Sequence, residues 1–227
     1  MISVILPAYN EEENIAFLIN DISSFFKQKK WQYEIIVVND GSKDKTAEIL
    51  NNYKKRENIR IITHKKNLGY GAALRSGFLK ARGDLVFFTD ADRQFNIQDI
   101  TPFVKKIKDY DFVVGFRKKR SDPFYRIFYA EIFRIIAKIF FGVKVRDVDC
   151  AFKLFKKNVL SNLKLESNGA LINLEIFALA RKKNYKFTEL PVNHFPRKKG
   201  KQTGGNFKVL FKAFLNIFRL WLKLRKR

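Results

Sequence analysis

Asp90 and Asp92 flank one residue at the end of the apolar run 84–89. That spacing lets two carboxylates approach a common point. Hard oxygen ligands of this kind suit Mg²⁺ or Mn²⁺ shared with a diphosphate. Gln94, two residues further on, offers a third oxygen. Comparable polar clusters end other apolar runs: Pro7-Ala8-Tyr9-Asn10-Glu11, Asn39-Asp40-Gly41-Ser42 and Gly115-Phe116-Arg117. Asp40 is placed for its carboxylate to accept hydrogen bonds from a base N–H, with Pro7 and Tyr9 framing that base. Any single cluster is explained by cap and turn chemistry. Several on one edge of one sheet point to a site.

The elements that must position these residues follow from hydrophobic periodicity. Strands are expected at Ile2–Leu6, Glu34–Val38, Ile59–Thr63, Asp84–Thr89 and Phe112–Gly115. Helices are expected between them at Glu11–Lys27, Asp44–Arg56, Gly71–Ala81 and Ile97–Lys108. Such alternation predicts an α/β fold, a mostly parallel sheet with helices on both faces. In these sheets ligands lie outside the carboxyl ends of the strands, where the polar clusters stand. Beyond 115 the pattern changes. A basic loop, Arg117–Arg120, leads into a Phe/Ile-rich segment, Phe124–Val143. Then come strand-like Ala151–Phe155, a helix over Leu171–Lys183, a strand over Phe187–Val192, a Lys/Gly loop, Arg197–Gly205, and a helix over Phe207–Leu224.

The 227 residues suit one domain with a short appendage. We divide the chain into 1–205, including an amphipathic segment at about 122–143, and a terminal amphipathic helix, 206–227. Cys150 is the one cysteine, which excludes an internal disulfide and favours a reducing compartment. It reads as a small buried hydrophobe. The formal charge of +24, from 46 Lys and Arg against 22 Asp and Glu, calls for an anionic partner. Acidic membrane and phosphorylated substrates are the expected partners, and a non-enzymatic nucleic-acid binder is the remote alternative. The aromatics gather in hydrophobic helices instead of alternating with basic residues, and no recognition motif appears.

The ordered set Pro7-Ala8-Tyr9-Asn10-Glu11-Glu12, Val38-Asn39-Asp40-Gly41-Ser42-Lys43-Asp44-Lys45-Thr46, Asn67-Leu68-Gly69-Tyr70-Gly71 and Asp90-Ala91-Asp92 resembles the inverting, GT-A-type family 2 glycosyltransferases. With Asp147-Val148-Asp149-Cys150-Ala151-Phe152-Lys153-Leu154-Phe155 and Pro191-Val192…Pro196-Arg197…Gly200, the chain looks most like the polyprenol- and dolichol-phosphate mannose or glucose synthases. The resemblance implies a GT-A fold and a nucleotide-sugar donor, GDP-mannose or UDP-glucose. It implies a nucleotide-sugar pocket of Pro7, Ala8, Tyr9, Glu11, Val38, Asn39, Asp40, Asp90, Ala91 and Asp92. Asp90, Asp92 and Gln94 would organise the metal. Arg117 would act with the acids, and Arg117, Arg197 and Lys201 would meet acceptor or donor phosphate. Family members usually carry Asp where Asn39 stands, and often Ser where Cys150 or Gln202 stands.

A lipid phosphate is already an oxyanion near neutral pH, so as acceptor it needs no general base. A sugar or protein hydroxyl would need one, and Asp147, Asp149 and Glu175 are then the candidates. Their competing reading is structural: loop orientation for the two aspartates, a helix-face charge for Glu175. His64 and His194 are read as structural.

In the terminal helix Lys208, Lys212, Asn216, Arg219 and Lys223 fall within an arc of roughly 80°, leaving a broad apolar face. Phe124–Phe141 is a looser version. Such helices suit a membrane interface, with packing in the core or in a dimer as the competing reading. Lys118, Lys119, Arg120, Arg197, Lys198, Lys199, Lys201 and Arg225-Lys226-Arg227 would draw the chain to anionic lipid. No stretch is apolar enough to span a bilayer and no signal peptide is read at the amino end. The expected location is peripheral, on the cytoplasmic face of a membrane.

Overall fold

The computed structural model describes residues 1–118, 124–197 and 207–225. Its elements begin with β1 (Ile2–Ala8), α1 (Ile15–Gln28), β2 (Tyr33–Asn39), α2 (Thr46–Asn51), β3 (Ile59–Thr63), α3 (Tyr70–Lys80) and β4 (Leu85–Thr89). A 3-10 turn (Ile97–Asp99) precedes α4 (Ile100–Lys106) and β5 (Phe112–Arg117). There follow α5 (Phe124–Phe141), β6 (Phe152–Lys156), α6 (Lys157–Asn162), α7 (Ile172–Lys182), β7 (Phe187–Val192) and α8 (Phe207–Arg225). Lys119, Arg120, Lys198, Lys199, Lys201, Gln202, Lys226, Arg227 and the expected boundary at 205/206 lie outside the described residues.

One sheet runs in the order β3-β2-β1-β4-β6-β5-β7. Pairing is parallel except along β6, which is antiparallel to both β4 and β5. All of β1 and nearly all of β2 are buried, as parallel strands covered on both faces require. The edge strands β3 and β7 are only half-buried along most of their length. Pro191 is tolerated in β7 because that strand pairs on one side alone.

Two apolar layers cover the sheet. On one face Ile15, Leu18, Ile19, Ile22 and Phe26 of α1 join Leu50 and Phe103 against Val4, Leu6, Val37 and Phe87. The spacing 15, 18, 19, 22, 26 is the stripe of an amphipathic helix. On the other face Leu74, Ala137, Phe141, Ile176, Phe177, Ile217, Leu220 and Leu224 pack on Ile5, Val38, Phe88, Phe112 and Phe155. Much of the phenylalanine content is explained here. Phe155 stacks between Phe88 and Phe112, and Phe112 stacks in turn on Phe187, at centroid distances of 6.1, 5.2 and 5.0 Å. These rings tie β4, β6, β5 and β7 together by cross-strand contact.

The structure departs from the periodicity at loops with distant partners. The helix expected from Glu11 starts at Ile15, because the Glu11–Asn14 stretch is tied to the loop after β2. Glu11 N donates to Thr46 Oγ1 (2.8 Å), Lys45 N to Glu12 Oε2 (2.8 Å) and Glu12 N to Asp44 Oδ2 (3.1 Å). The helix expected over 44–56 holds helical geometry only from Thr46 to Asn51. That over 97–108 divides into the 3-10 turn, whose Gln98 N donates to Asn96 Oδ1, and α4. The short α6 was not legible as a separate helix.

The terminal helix is part of the core as well as of the surface. Ile217, Leu220 and Leu224 are buried, and Lys182 donates to the Leu224 carbonyl. Ile132, Ile135, Ile139 and Phe140 of α5, with Phe218 and Leu222 of α8, are exposed. No described helix is long and apolar enough to cross a membrane.

Candidate active site

The sheet order reverses between β1 and β4: from β1 the chain proceeds outward to β2 and β3, then returns to place β4 on the other side. A crevice forms at the carboxyl ends of strands at such a switch point. Tyr9–Glu11, Asn39–Ser42, Asp90–Gln94 and Arg117 all stand at strand ends. Pro7, Ala8 and Val38 lie within the strands, Pro7 opposite Val38 and Ala8 opposite Asn39.

The first two strand-end loops lock each other. Asn10, in the left-handed region at φ 57°, accepts from Lys43 N (2.8 Å) and donates its own N–H to Ser42 Oγ (3.0 Å). Asn39 is buried and accepts from Ser42 N at 3.0 Å. A neutral amide does this without burying a charge, a physical reason for Asn at this position.

Asp40 requires a correction. Instead of standing open to a base N–H, its buried carboxylate accepts from Leu68 N (2.9 Å), Gly69 N (2.8 Å) and His64 Nδ1 (2.7 Å). His64 Nε2 lies 2.9 Å from Ser76 Oγ on α3. Asp40 and His64 therefore anchor the Asn67-Leu68-Gly69 turn. Gly69 and Gly71 have a steric cause: a Cβ would stand 2.5 Å from Asn168 O at Gly69 and 2.3 Å from Ser167 O at Gly71. Asn168 O in turn accepts from Gly71 N at 2.7 Å, satisfying an orphan donor at the start of α3.

Asp90 and Asp92 act on each other electrostatically. Burial first, and then the charge of Asp92, pushes Asp90 from the ordinary 3.8 up to about 7. Asp92 is raised too, chiefly by burial. Two largely buried carboxylates are only partly offset by the neighbouring cations Arg197, Arg117 and Lys153, and a divalent cation fits the remaining need and their oxygen chemistry. Among the described residues no group of three or more His, Cys, Asp or Glu side chains is placed to hold a metal alone. The remaining ligands would have to come from donor phosphate and water.

Around this pair, hydrogen bonds and ion pairs fix several of the residues named from the sequence. Gln94, expected to offer a third oxygen, is held here by its nitrogens. Its Nε2 donates to Phe195 O (2.9 Å) and its N–H to Asp92 Oδ1 (3.1 Å), stitching the turn to the chain beyond β7. Arg197 donates from Nη2 to Glu11 Oε1 at 2.7 Å, with Nη1 3.9 Å from Asp92 Oδ2. It thus joins the β1 loop to the acid pair. Ala91 is buried between the two acids. Tyr70 opens α3 and turns its buried hydroxyl toward Asp90. Burial, then Asp90, Asp149 and Asp92, hold its pKa well above the ordinary 10.

Arg117 is gripped by Asp147 in a fork: Nε to Oδ2 at 2.7 Å and Nη2 to Oδ1 at 2.8 Å. Asp147 is therefore the partner of an arginine, which argues against its use as a base. Glu175 is no surface charge. It is buried on α7 and accepts from Glu166 N (3.0 Å) and Ser167 N (2.8 Å). Burial raises its pKa while these donors hold it down. Glu175→Ala, which strips the acceptor from these N–H groups, should lower stability by about 1–3 kcal/mol. Transfer per folded molecule is expected to survive, as paired melting and activity measurements will check. A folded, inactive variant would instead restore the base role. Asp149 is exposed. Cys150 is buried and its thiol is pushed up to about 12, chiefly by burial, so it is inert at neutral pH.

Residues 3–164 match glycosyl transferase family 2. The chain belongs to that family. Its fold is GT-A. Among curated relatives of this family 2 chain, a dolichyl-phosphate beta-glucosyltransferase of Trichomonas vaginalis is 33% identical over 210 residues. The match covers 84% of this chain and 64% of that protein. An undecaprenyl-phosphate 4-deoxy-4-formamido-L-arabinose transferase of Pseudomonas fluorescens is 29% identical, over 88% of this chain and 58% of that one. This family 2 chain thus spans less than two thirds of the length of either. Among solved structures, glucosyl-3-phosphoglycerate synthase from Mycobacterium tuberculosis, in complex with Mn²⁺, UDP and phosphoglyceric acid, shares the fold. Its TM-score is 0.75 at 17% identity, over 97% of this chain and 78% of that one.

The residues that sequence reading passed over in this family 2 site are Tyr70, Lys153 and the full role of His64. Tyr70 stood in a quoted motif, and Lys153 is a lone cation in the apolar run 152–155. Their partners come from other elements, so spacing along the chain carries no trace of the contacts.

Proposed function

We propose that this chain transfers a hexose from a nucleotide sugar to a polyprenyl phosphate, with inversion, at a membrane surface. The observation that carries the reading is the Asp90–Asp92 pair, largely buried and only partly offset by nearby cations, at the switch-point crevice of a family 2 fold. The acceptor is supported by the names of the curated relatives, which specify dolichyl or undecaprenyl phosphate. Those same names favour glucose over mannose as the sugar.

Asp90 and Asp92 would hold Mg²⁺ or Mn²⁺, which when bound supplies Lewis-acid neutralisation of the departing nucleoside diphosphate. Pro7, Ala8, Tyr9 and Val38 shape the nucleotide end of the crevice. Asn39 and Asp40 act on it through the loops they anchor. Arg197 aligns Glu11 with Asp92, and its guanidinium is available to donor phosphate when the donor arrives. Arg117, oriented by Asp147, meets the acceptor phosphate, and Lys201 is proposed to assist it. The acceptor oxygen is already anionic, so attack on the anomeric carbon needs no proton removed by the protein. Displacement from the face opposite the leaving group inverts that carbon. The exposed Ile132, Ile135, Ile139, Phe140, Phe218 and Leu222 form an apolar surface on a strongly cationic chain, which suits the interface of an anionic membrane.

The test is direct. Purified protein is incubated with a panel of nucleotide sugars, Mg²⁺ or Mn²⁺, and polyprenyl phosphate in neutral or anionic vesicles. Glycosylated lipid is expected from UDP-glucose, and faster in the anionic vesicles. Product on a saccharide or protein hydroxyl, with none on the lipid, would overturn the acceptor and make Asp149 the base to mutate.

A further inference from the structure

One charged group of the sheet has no task in the chemistry above. Lys153 lies in β6, fully buried, opposite Phe88 of β4 and Val114 of β5. Its Nζ donates to Cys150 O (2.5 Å), Asn173 Oδ1 (2.8 Å) and Val148 O (3.3 Å). The rings of Phe88 and Phe177 lie beneath it, 5.3 and 5.6 Å from Nζ to centroid. These hydrogen-bond acceptors are all neutral.

An ammonium placed among phenylalanines carries a desolvation penalty that an apolar side chain of the same length avoids. Burial accordingly lowers its pKa, while Cys150, Asp149, Asp147 and Asp90 oppose that shift. What the ammonium supplies is convergence. The carbonyls of Val148 and Cys150, on either side of Asp149, are drawn to one atom, and Asn173 braces that atom from α7. Asp147, the residue immediately before this turn, forks onto Arg117. A continuous set of contacts therefore runs from Lys153 through the 148–150 turn and Asp147 to the guanidinium at the end of β5.

We propose that Lys153 is a positioning residue: it fixes the 147–150 turn so that Asp147 holds Arg117 aimed at the acceptor phosphate. The inference rests on the lipid-phosphate reading above, because an anionic acceptor is what gives the aimed guanidinium a partner.

Lys153→Met, made in the full chain, tests it with three measurements. These are amide hydrogen exchange over 147–151, calorimetric affinity for UDP and GDP without added divalent metal, and steady-state transfer to a short polyprenyl phosphate. Exchange over 147–151 should speed up. The specificity constant for the acceptor should fall roughly tenfold to hundredfold, the usual range for a residue that orients a ligand-bearing one. Nucleotide affinity should stay at the wild-type value, a split that general destabilisation would not produce. If Lys153→Met does not fold, Asn173→Ala, which removes one brace and keeps the lysine, is expected to move the same readouts in the same direction by less.

A folded variant with wild-type exchange and wild-type acceptor kinetics would overturn the proposal, as would nucleotide affinity and acceptor kinetics falling together. A wild-type chain that transfers nothing to polyprenyl phosphate overturns the acceptor reading, and this proposal with it. Active wild type beside an unaffected variant overturns the positioning role alone.

Discussion

Asp92→Ala is expected to lower transfer by on the order of 10²–10³-fold or more, the range seen when a main electrostatic stabiliser of developing charge is removed. The fold should survive. Asp92 sits at the crevice, and its charge is one of the causes that drive Asp90 upward. Removing it relieves a like-charge contact, so the melting temperature without metal should equal or exceed that of the wild type. Calorimetric titration with Mn²⁺ in the presence of UDP should show binding in the wild type and little in the variant. Excess chelator should reproduce the variant's activity in the wild type. Full activity in either case sinks the metal assignment.

The same pair sets a pH dependence. In the metal-free folded protein Asp90 keeps its proton up to about 7, whereas an ordinary Asp loses it near 3.8. Between those values the folded state binds the extra proton, so this group makes the metal-free protein less stable as pH rises through the window. A cation must displace that proton. Apparent Mn²⁺ affinity should therefore weaken by about tenfold per pH unit below 7, the slope for one displaced proton. In Asp92→Asn, Asp90 should titrate lower and stability should vary less over the window. An unchanged profile in the variant would remove the coupling.

Arg117→Met should be the most destabilising single change at the site. Arg117 and Asp147 side chains are only 11% and 9% exposed and form a two-point ion pair. Removing one member of a buried pair leaves the other charge uncompensated, at a cost of about 3–5 kcal/mol. For a chain of this size that corresponds to a drop in Tm on the order of 10 °C. Arg117→Met/Asp147→Leu, which removes both charges, should recover most of the stability and none of the transfer. Equal melting of single variant and wild type would show that the pair does not stabilise the fold. Transfer by the folded double variant would show that Arg117 does not act on phosphate.

Much of the architecture was legible because apolar periodicity is a local property. β1, β2, β4 and the buried stripe of α1 announce themselves by runs and spacing, and the polar clusters follow them at fixed distances along the chain. The antiparallel insertion of β6 between β4 and β5 was not legible. Its run of apolar residues is equally compatible with either strand direction, and the choice is made by pairing with strands remote in sequence. The start of α1 was missed for a related reason: Thr46, Asp44 and Lys45 compete for the backbone and side chains of Glu11 and Glu12.

Residue types and local spacing were sufficient to locate the acid pair, the strand-end clusters, the family resemblance and the inert character of Cys150. Which carboxylates are left for chemistry was decided by the tertiary structure. Asp40 faces His64 and the 68–69 amides, Asp147 faces Arg117, Glu175 caps a loop, and Asp90 and Asp92 raise each other's need for a cation. All five are the same functional group. What distinguishes them is the set of donors and the loss of water around each, and both are assembled from parts of the chain that sequence spacing does not relate.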